Sequence, residues 1–250
     1  VFLLLAMMQR KSVPIYCIRM GESSMSNEKQ RKPCIIVFAG PNGSGKSSLT
    51  SRVDILPPYI NADDIKKETG CSDLEAAQKA DAMRLQCVEW GEDFTFETVL
   101  STNKKLEFLK YAKEHGYFIK GFFVLTKDAS VNVLRVWERV QSGGHDVPEE
   151  KIRSRYEKSL ARVQAFVDLC DICHIYDNSG SSTDRIFKKA HGDTYKCREN
   201  AFWSKQEICD LVGIKSNNVG ELLLSDYEKK LCNSLNSATE TEEDVDRNDK

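Results

Sequence analysis

Gly40-Pro41-Asn42-Gly43-Ser44-Gly45-Lys46-Ser47 spells G-x-x-x-x-G-K-S, and the chemistry that this spacing serves is the holding of phosphate. The glycines let the backbone turn tightly and aim N–H groups at phosphate oxygens, and the helix that opens at the end of the loop adds a positive N-terminus. Lys46 is placed to reach the β- and γ-phosphates, Ser47 offers a hydroxyl to Mg²⁺, and Ser48 completes the first turn. A flexible Gly/Ser turn is the alternative reading. Such a turn seldom carries Lys-Ser at the required offset behind an apolar run like Cys34-Ile-Ile-Val-Phe-Ala39.

A phosphate loop identifies nucleoside triphosphate binding without separating a kinase from a GTPase or a motor ATPase. Downstream carboxylates narrow the choice. Asp63 and Asp64 follow a short apolar stretch ending at Ile60, and Glu97-Thr98 closes Phe94-Thr-Phe. Strand ends on this side of an open α/β sheet border the ligand crevice, so Asp63 and Glu97 can face the phosphates. Each has a plainer reading, helix N-capping for Asp63 or Asp64 and a solvated strand end for Glu97. No Asn-Lys-x-Asp base-reading motif occurs, and no apolar strand ends in the Asp-Glu pair of a motor ATPase. The balance therefore favours a kinase.

These residues need a mostly parallel sheet flanked by helices, and the alternation of short β-type runs with longer helical ones predicts that α/β class. Strands are expected at Cys34–Ala39, Tyr59–Asn61, Phe94–Thr98, Tyr117–Leu125 and, last in the core, Ile172–Tyr176. Helices are expected from Gly45 to Val53, from Ser72 or Asp73 to about Trp90, from Asn103 to His115, from Asp128 or Ser130 to Gly143-Gly144, and as one long helix from Pro148 with Ile152, Tyr156, Leu160, Val163 and Val167 on one face.

Read in order, GPNGSGKS, Ile60-Asn-Ala-Asp63, Phe94-Thr-Phe-Glu97-Thr98, Arg135-Val-Trp-Glu-Arg139-Val-Gln-Ser-Gly143-Gly-His-Asp-Val-Pro148, Ile152-Arg-Ser-Arg-Tyr156 and Tyr176-Asp-Asn-Ser179 resemble the zeta toxin family over roughly residues 33 to 192. The Gly-Gly-His-Asp-Val-Pro form is closer to the shorter zeta-like ATPases than to the plasmid-borne toxins. The resemblance implies a P-loop kinase with a helical lid that uses ATP and Mg²⁺ to phosphorylate a small-molecule hydroxyl, in that family the 3′-hydroxyl of UDP-N-acetylglucosamine. It implies that Asp63 is the base and that Glu97, with Thr98 beside it, holds the acceptor sugar. It also implies an inhibitory antitoxin-like partner covering the ATP pocket, although no antitoxin segment is visible in the sequence.

Phosphoryl transfer builds negative charge that a lid guanidinium can stabilise. Arg135 and Arg139 lie one turn apart, and Arg153 and Arg155 follow beyond the Gly-Gly-His stretch. From spacing alone they read as a solvated basic face paired with Glu138, Glu149 and Glu150. With the resemblance, Arg139 and Arg153 become the expected catalytic lid arginines, with Arg135 or Arg155 as replacements for either. Cys170-Asp-Ile-Cys173-His174 matches a haem-attachment spacing, but no secretory signal or second axial ligand accompanies it, and a zinc site lacks a second close ligand pair. Phe122, Phe123 and Trp137 read as core.

Composition sets the remaining bounds. In 250 residues, 36 Lys+Arg nearly balance 38 Asp+Glu, so the chain lacks the basic field of a nucleic-acid binder. Nine cysteines, irregularly spaced and several within apolar segments, read as reduced thiols of a cytoplasmic protein. Residues 1–30 read as an untrustworthy or disordered leader whose apolar start, Val1 to Met8, is too short for a membrane span, 31–195 as the kinase domain, 196–236 as a helical appendage without an assigned role, and 237–250 as an acidic disordered tail.

Overall fold

The computed structural model describes residues 31–190 and 192–223. All of these but Arg31 belong to a compact unit that begins at Lys32. The expected leader and acidic tail lie outside the described residues.

The chain alternates strands and helices as the residue pattern requires. The strands are β1 (Cys34–Ala39), β2 (Tyr59–Ile60), β3 (Phe94–Thr98), β4 (Phe118–Leu125), β5 (Ile172–Asp177), β6 (Asp184–Ala190), β7 (Thr194–Cys197) and β8 (Val219–Glu221). They form one sheet in the order β2-β3-β1-β4-β5-β6-β7-β8. The first five strands of that order run parallel, with Ala39 level with Thr98 on one side and with Phe123 on the other. Consequently β2, β3, β1, β4 and β5 all end on one edge of the sheet, where α/β folds bind ligands. This is the α/β P-loop arrangement, with the glycine loop leaving the strand between β3 and β4.

The helices are α1 (Lys46–Thr50), α2 (Ala62–Thr69), α3 (Asp73–Trp90), α4 (Lys104–Glu114), α5 (Ala129–Gln141), α6 (Glu149–Leu160), α7 (Val163–Leu169) and α8 (Lys205–Val212). Their starts have local causes. Ser72 and Glu75 form a reciprocal capping box, as do Ser204 and Glu207, and the Asp128 carboxylate accepts from the Ser130 N–H at 2.6 Å. Each such cap is worth about 1 kcal/mol. One face of the sheet meets most of these helices in a core that includes Phe94, Phe96, Leu109, Phe123, Phe166 and Phe187, all fully buried. Five of the six residues of β1 are buried, and at about 1.5–3 kcal/mol for each large side chain they give the glycine loop a rigid root.

Several expectations change. The helix expected from Gly45 to Val53 ends at Thr50. The long helix expected from Pro148 through Val167 breaks at Ala161-Arg162 into α6 and α7. Beyond β5, residues expected to leave the core instead add β6, β7 and β8, and the segment from 196 that read as helical contributes a single helix, α8, between β7 and β8. The strand period of β6 is masked by Lys189, which is 6% exposed and donates to the Val167 and Asp168 carbonyls at the end of α7. Phe122 and Phe123 are core, whereas Trp137 is 58% exposed on α5. No helix among the described residues is long and apolar enough to cross a membrane.

Candidate active site

The C-terminal ends of the five parallel strands open into a cavity of about 500 Å³. It is floored by the glycine loop. Gly40 takes φ +143, and an added Cβ would sit 2.0 Å from the Val124 carbonyl oxygen; Gly45 takes φ +93, and a Cβ there would meet the Asn178 amide at 2.3 Å. Only glycine fits at these two positions. Two side chains that were not singled out as site residues brace the loop. Buried Asn132 of α5 donates to the Asn42 carbonyl at 2.7 Å, and Asn178, just after β5, donates to the Ser44 carbonyl at 2.9 Å. Asn178 directly follows the end of β5, a signal the sequence carries, whereas Asn132 lies within α5 and has none.

Lys46 lies along the loop and donates to the Pro41 carbonyl at 3.0 Å. Withdrawal from solvent lowers its pKa from 10.5 to about 8, and Arg139 adds to that; the nearby carboxylates of Glu97 and Asp63 work in the opposite direction. Ser47 is the next residue of the same turn, its hydroxyl donating to Glu97 Oε2 at 3.2 Å, while Thr50 donates to Glu97 Oε1 at 2.8 Å. Glu97 is thus bound to the phosphate-loop helix through both oxygens. The hydroxyl of Ser47 and the Glu97 carboxylate make a corner of hard oxygen donors of the kind Mg²⁺ prefers when phosphates and water complete its shell. No cluster of three or more His, Cys, Asp or Glu suited to a metal occurs among the described residues.

Asp63 lines the cavity from the start of α2. It does not cap that helix. Asn61 does so, accepting from the Asp63 N–H at 3.0 Å, which leaves the Asp63 carboxylate available to the cavity. Desolvation, then Glu97 and Asp63, push Asp64 above the usual carboxylate range. Burial and then Glu97 likewise push up the Tyr59 phenol. Thr98 also lines the cavity, its hydroxyl accepting from the Leu100 N–H at 3.1 Å.

The lid arginines divide differently from expectation. Arg135 and Arg139 of α5 both line the cavity. Arg139 donates to the His145 carbonyl at 2.7 Å, and Arg135 donates to the Gly180 carbonyl at 3.2 Å while its buried Nη1 has no partner. Arg153 is not among the lining residues. It faces out from α6 and pairs with Glu149 at 2.8 Å and Ser130 at 3.3 Å. Arg155, two positions on and nearer the buried face of α6, reaches the Asn42 side chain of the loop at 3.2 Å. The α5–α6 hairpin is anchored over the sheet edge by Tyr156, which donates to the Thr126 carbonyl, and Ser159, which donates to the Val99 carbonyl, both at 2.8 Å. At the remote Cys170-Asp-Ile-Cys173 pair, both thiols are fully buried and free, which gives a haem no access.

No family model matches the sequence. An "Uncharacterized protein" of Haemophilus influenzae is 31% identical over 127 residues, spanning 48% of this chain and 91% of that protein. Among solved structures, the AvrRxo1-ORF1:AvrRxo1-ORF2 complex with sulphate ions superposes with a TM-score of 0.56 at 14% identity, covering 79% of this chain and 67% of that one. The AvrRxo1-ORF1:-ORF2 complex with ATP gives 0.55 at 13% identity, covering 80% and 74%. At these identities the structural likeness is one of fold.

Proposed function

We propose that this chain, which belongs to the same family as the Haemophilus influenzae protein, is an ATP-dependent kinase that transfers the γ-phosphoryl group to the hydroxyl of a small molecule. One observation carries the reading. Lys46, Ser47, Asp63, Glu97, Arg135 and Arg139 line a single cavity over a glycine loop that tolerates no side chain at Gly40 or Gly45. A pure nucleotide switch has no need of a free carboxylate opposite the phosphates.

In this reading the loop N–H groups and Lys46 hold the β- and γ-phosphates. Ser47 and Glu97 hold Mg²⁺, which when bound neutralises charge on the phosphate oxygens. Glu97 thereby serves the loop side of the cavity, leaving Thr98 for the acceptor. Asp63 accepts the hydroxyl proton as the new oxygen–phosphorus bond forms, while the bond to the bridging oxygen breaks and ADP departs with its electron pair. Arg135 and Arg139 offset the charge that develops on the moving phosphoryl group. The solved complex with ATP supports ATP as the donor. The motif resemblance supports an acceptor of the UDP-N-acetylglucosamine type and an antitoxin-like protein partner.

The test is incubation with ATP, Mg²⁺ and a metabolite panel containing UDP-N-acetylglucosamine, followed by mass spectrometry. A hydroxyl compound heavier by one phosphoryl group in the wild type, and not in Lys46→Ala, is expected. ATP bound but never transferred to any member of the panel would favour the nucleotide-switch alternative.

A further inference from the structure

None of residues 198–212 lines the cavity, and all of them lie beyond the motif resemblance that ends near residue 192. Their polar side chains nevertheless lead back to the glycine loop. The link begins at Asn178, which donates to the Ser44 carbonyl at 2.9 Å and accepts from the Thr183 hydroxyl, also at 2.9 Å. Both ends of its amide are therefore fixed. The backbone that carries Asn178 is shaped by its neighbour Asp177, whose carboxylate is 2% exposed. Asp177 Oδ1 accepts from the Ser179 N–H at 3.1 Å and from the Ser179 hydroxyl, closing a side-chain turn across Asn178. Asp177 Oδ2 accepts from the Asn200 amide at 2.8 Å. A buried carboxylate keeps its charge only where donors replace water, so Asn200 helps Asp177 to hold the turn. Asn200 is itself held, because its Oδ1 accepts from the N–H groups of Phe202 at 3.0 Å and Trp203 at 2.9 Å. A second strut runs alongside. Ser179 accepts from the Lys127 N–H at 2.7 Å, and the Lys127 ammonium donates to Glu207 of α8 at 2.6 Å while lying 4.3 Å from the centre of the Trp203 ring. Hydrogen bonds connected in this way act as a unit.

We propose that residues 198–212 are a positioning element for nucleotide binding, with Asn200 as its key residue: through Asp177 and Asn178 it keeps the Ser44 segment of the phosphate loop shaped for phosphate before ATP arrives. The inference rests on the reading that this loop binds ATP. Asn200 acts through Asp177 and makes no contact with the nucleotide. A loop held ready binds more tightly than one that its ligand must order.

The experiment exchanges one donor for one acceptor and measures binding of a non-hydrolysable ATP analogue by calorimetry. Asn200→Asp retains the oxygen that accepts from Phe202 and Trp203 but sets a carboxylate against Asp177. Asp177→Asn alone sets one amide N–H group against another. Each single variant should weaken analogue binding about tenfold, the scale of one hydrogen bond to a charged group. The exchanged pair, Asp177→Asn with Asn200→Asp, again faces a donor with an acceptor and should recover to within about threefold of the wild type. Thr183→Val removes the other contact that orients Asn178, should also weaken binding, and reports on the same link if a single variant does not fold. A merely structural role would lower the unfolding temperature and leave the affinity of the folded variants unmoved. Unchanged analogue affinity in the variants that fold, or weakened single variants with no recovery in the exchanged pair, overturns the proposal. No analogue binding by the wild type would overturn the ATP reading and this inference with it, so the two failures are told apart.

Discussion

Raising the pH from about 7 to about 9 should weaken ATP binding through one group, Lys46. Its ammonium is held at a pKa of about 8 by withdrawal from solvent and by Arg139, against the pull of Glu97 and Asp63. Bound phosphates favour the charged form, so binding raises this pKa and takes up a proton wherever the free lysine is neutral. With a pKa near 8, Lys46 is about nine-tenths charged at pH 7 and about one-tenth at pH 9, and the apparent affinity falls about tenfold over that span. A phosphate ester's last ionisation, near pH 6, lies below this window and does not confuse it. Calorimetry with a non-hydrolysable analogue, in two buffers of different ionisation heat, reads both the affinity and the proton uptake, which should approach one per nucleotide at the upper end. Lys46→Arg should be flat across the range. An affinity that does not change between pH 7 and 9, or an equal fall in Lys46→Arg, would refute the titration of Lys46 as the source of the pH dependence.

Asp63→Asn should bind the ATP analogue normally and lower turnover by about 10²–10⁴, the usual worth of a general base, whereas Asp64→Asn should cost at most about 1 kcal/mol in denaturant unfolding as a first-turn helix charge and leave turnover within a factor of about two. Replacing Arg135 and Arg139 together by Ala should lower kcat by about 10³ or more with nucleotide affinity largely kept, while Arg153→Ala, which loses only an exposed pair with Glu149, should change kcat little; steady-state kinetics on the three proteins distinguishes them. Gly40→Ala places a Cβ 2.0 Å from the Val124 oxygen at φ +143, and thermal unfolding should reveal a loss of about 1–3 kcal/mol or more.

The parts of this site that were legible in the sequence are those that local chemistry specifies. The glycine loop and the strand before it are contiguous, and their spacing alone carries their meaning, whereas Asp63 reads equally as a helix cap without the motif resemblance. Which of the four arginines line the cavity was not legible, because it depends on how α6 is rotated, and Ile152 and Tyr156 turn Arg153 outward. Glu97 was visible as a strand-end carboxylate, but its contact with Ser47 and Thr50 joins positions 50 and 47 residues apart. The Arg84–Asp81–Lys105 trio joins α3 to the start of α4 across 24 positions of sequence, and in sequence Arg84 is one more charge on a long helix. The last three strands escaped notice because β7 and β8 are only four and three residues long, and because a buried lysine interrupts the apolar alternation of β6.

The fate of the γ-phosphate tests the central claim most directly. Phosphorus NMR of the wild type with ATP, Mg²⁺ and a mixed pool of hydroxyl metabolites that includes UDP-N-acetylglucosamine should show ATP converted to ADP with a new phosphate monoester appearing in equal amount, and neither change in Lys46→Ala. ATP left intact, or its γ-phosphate released only as orthophosphate whatever acceptor is supplied, would contradict the account.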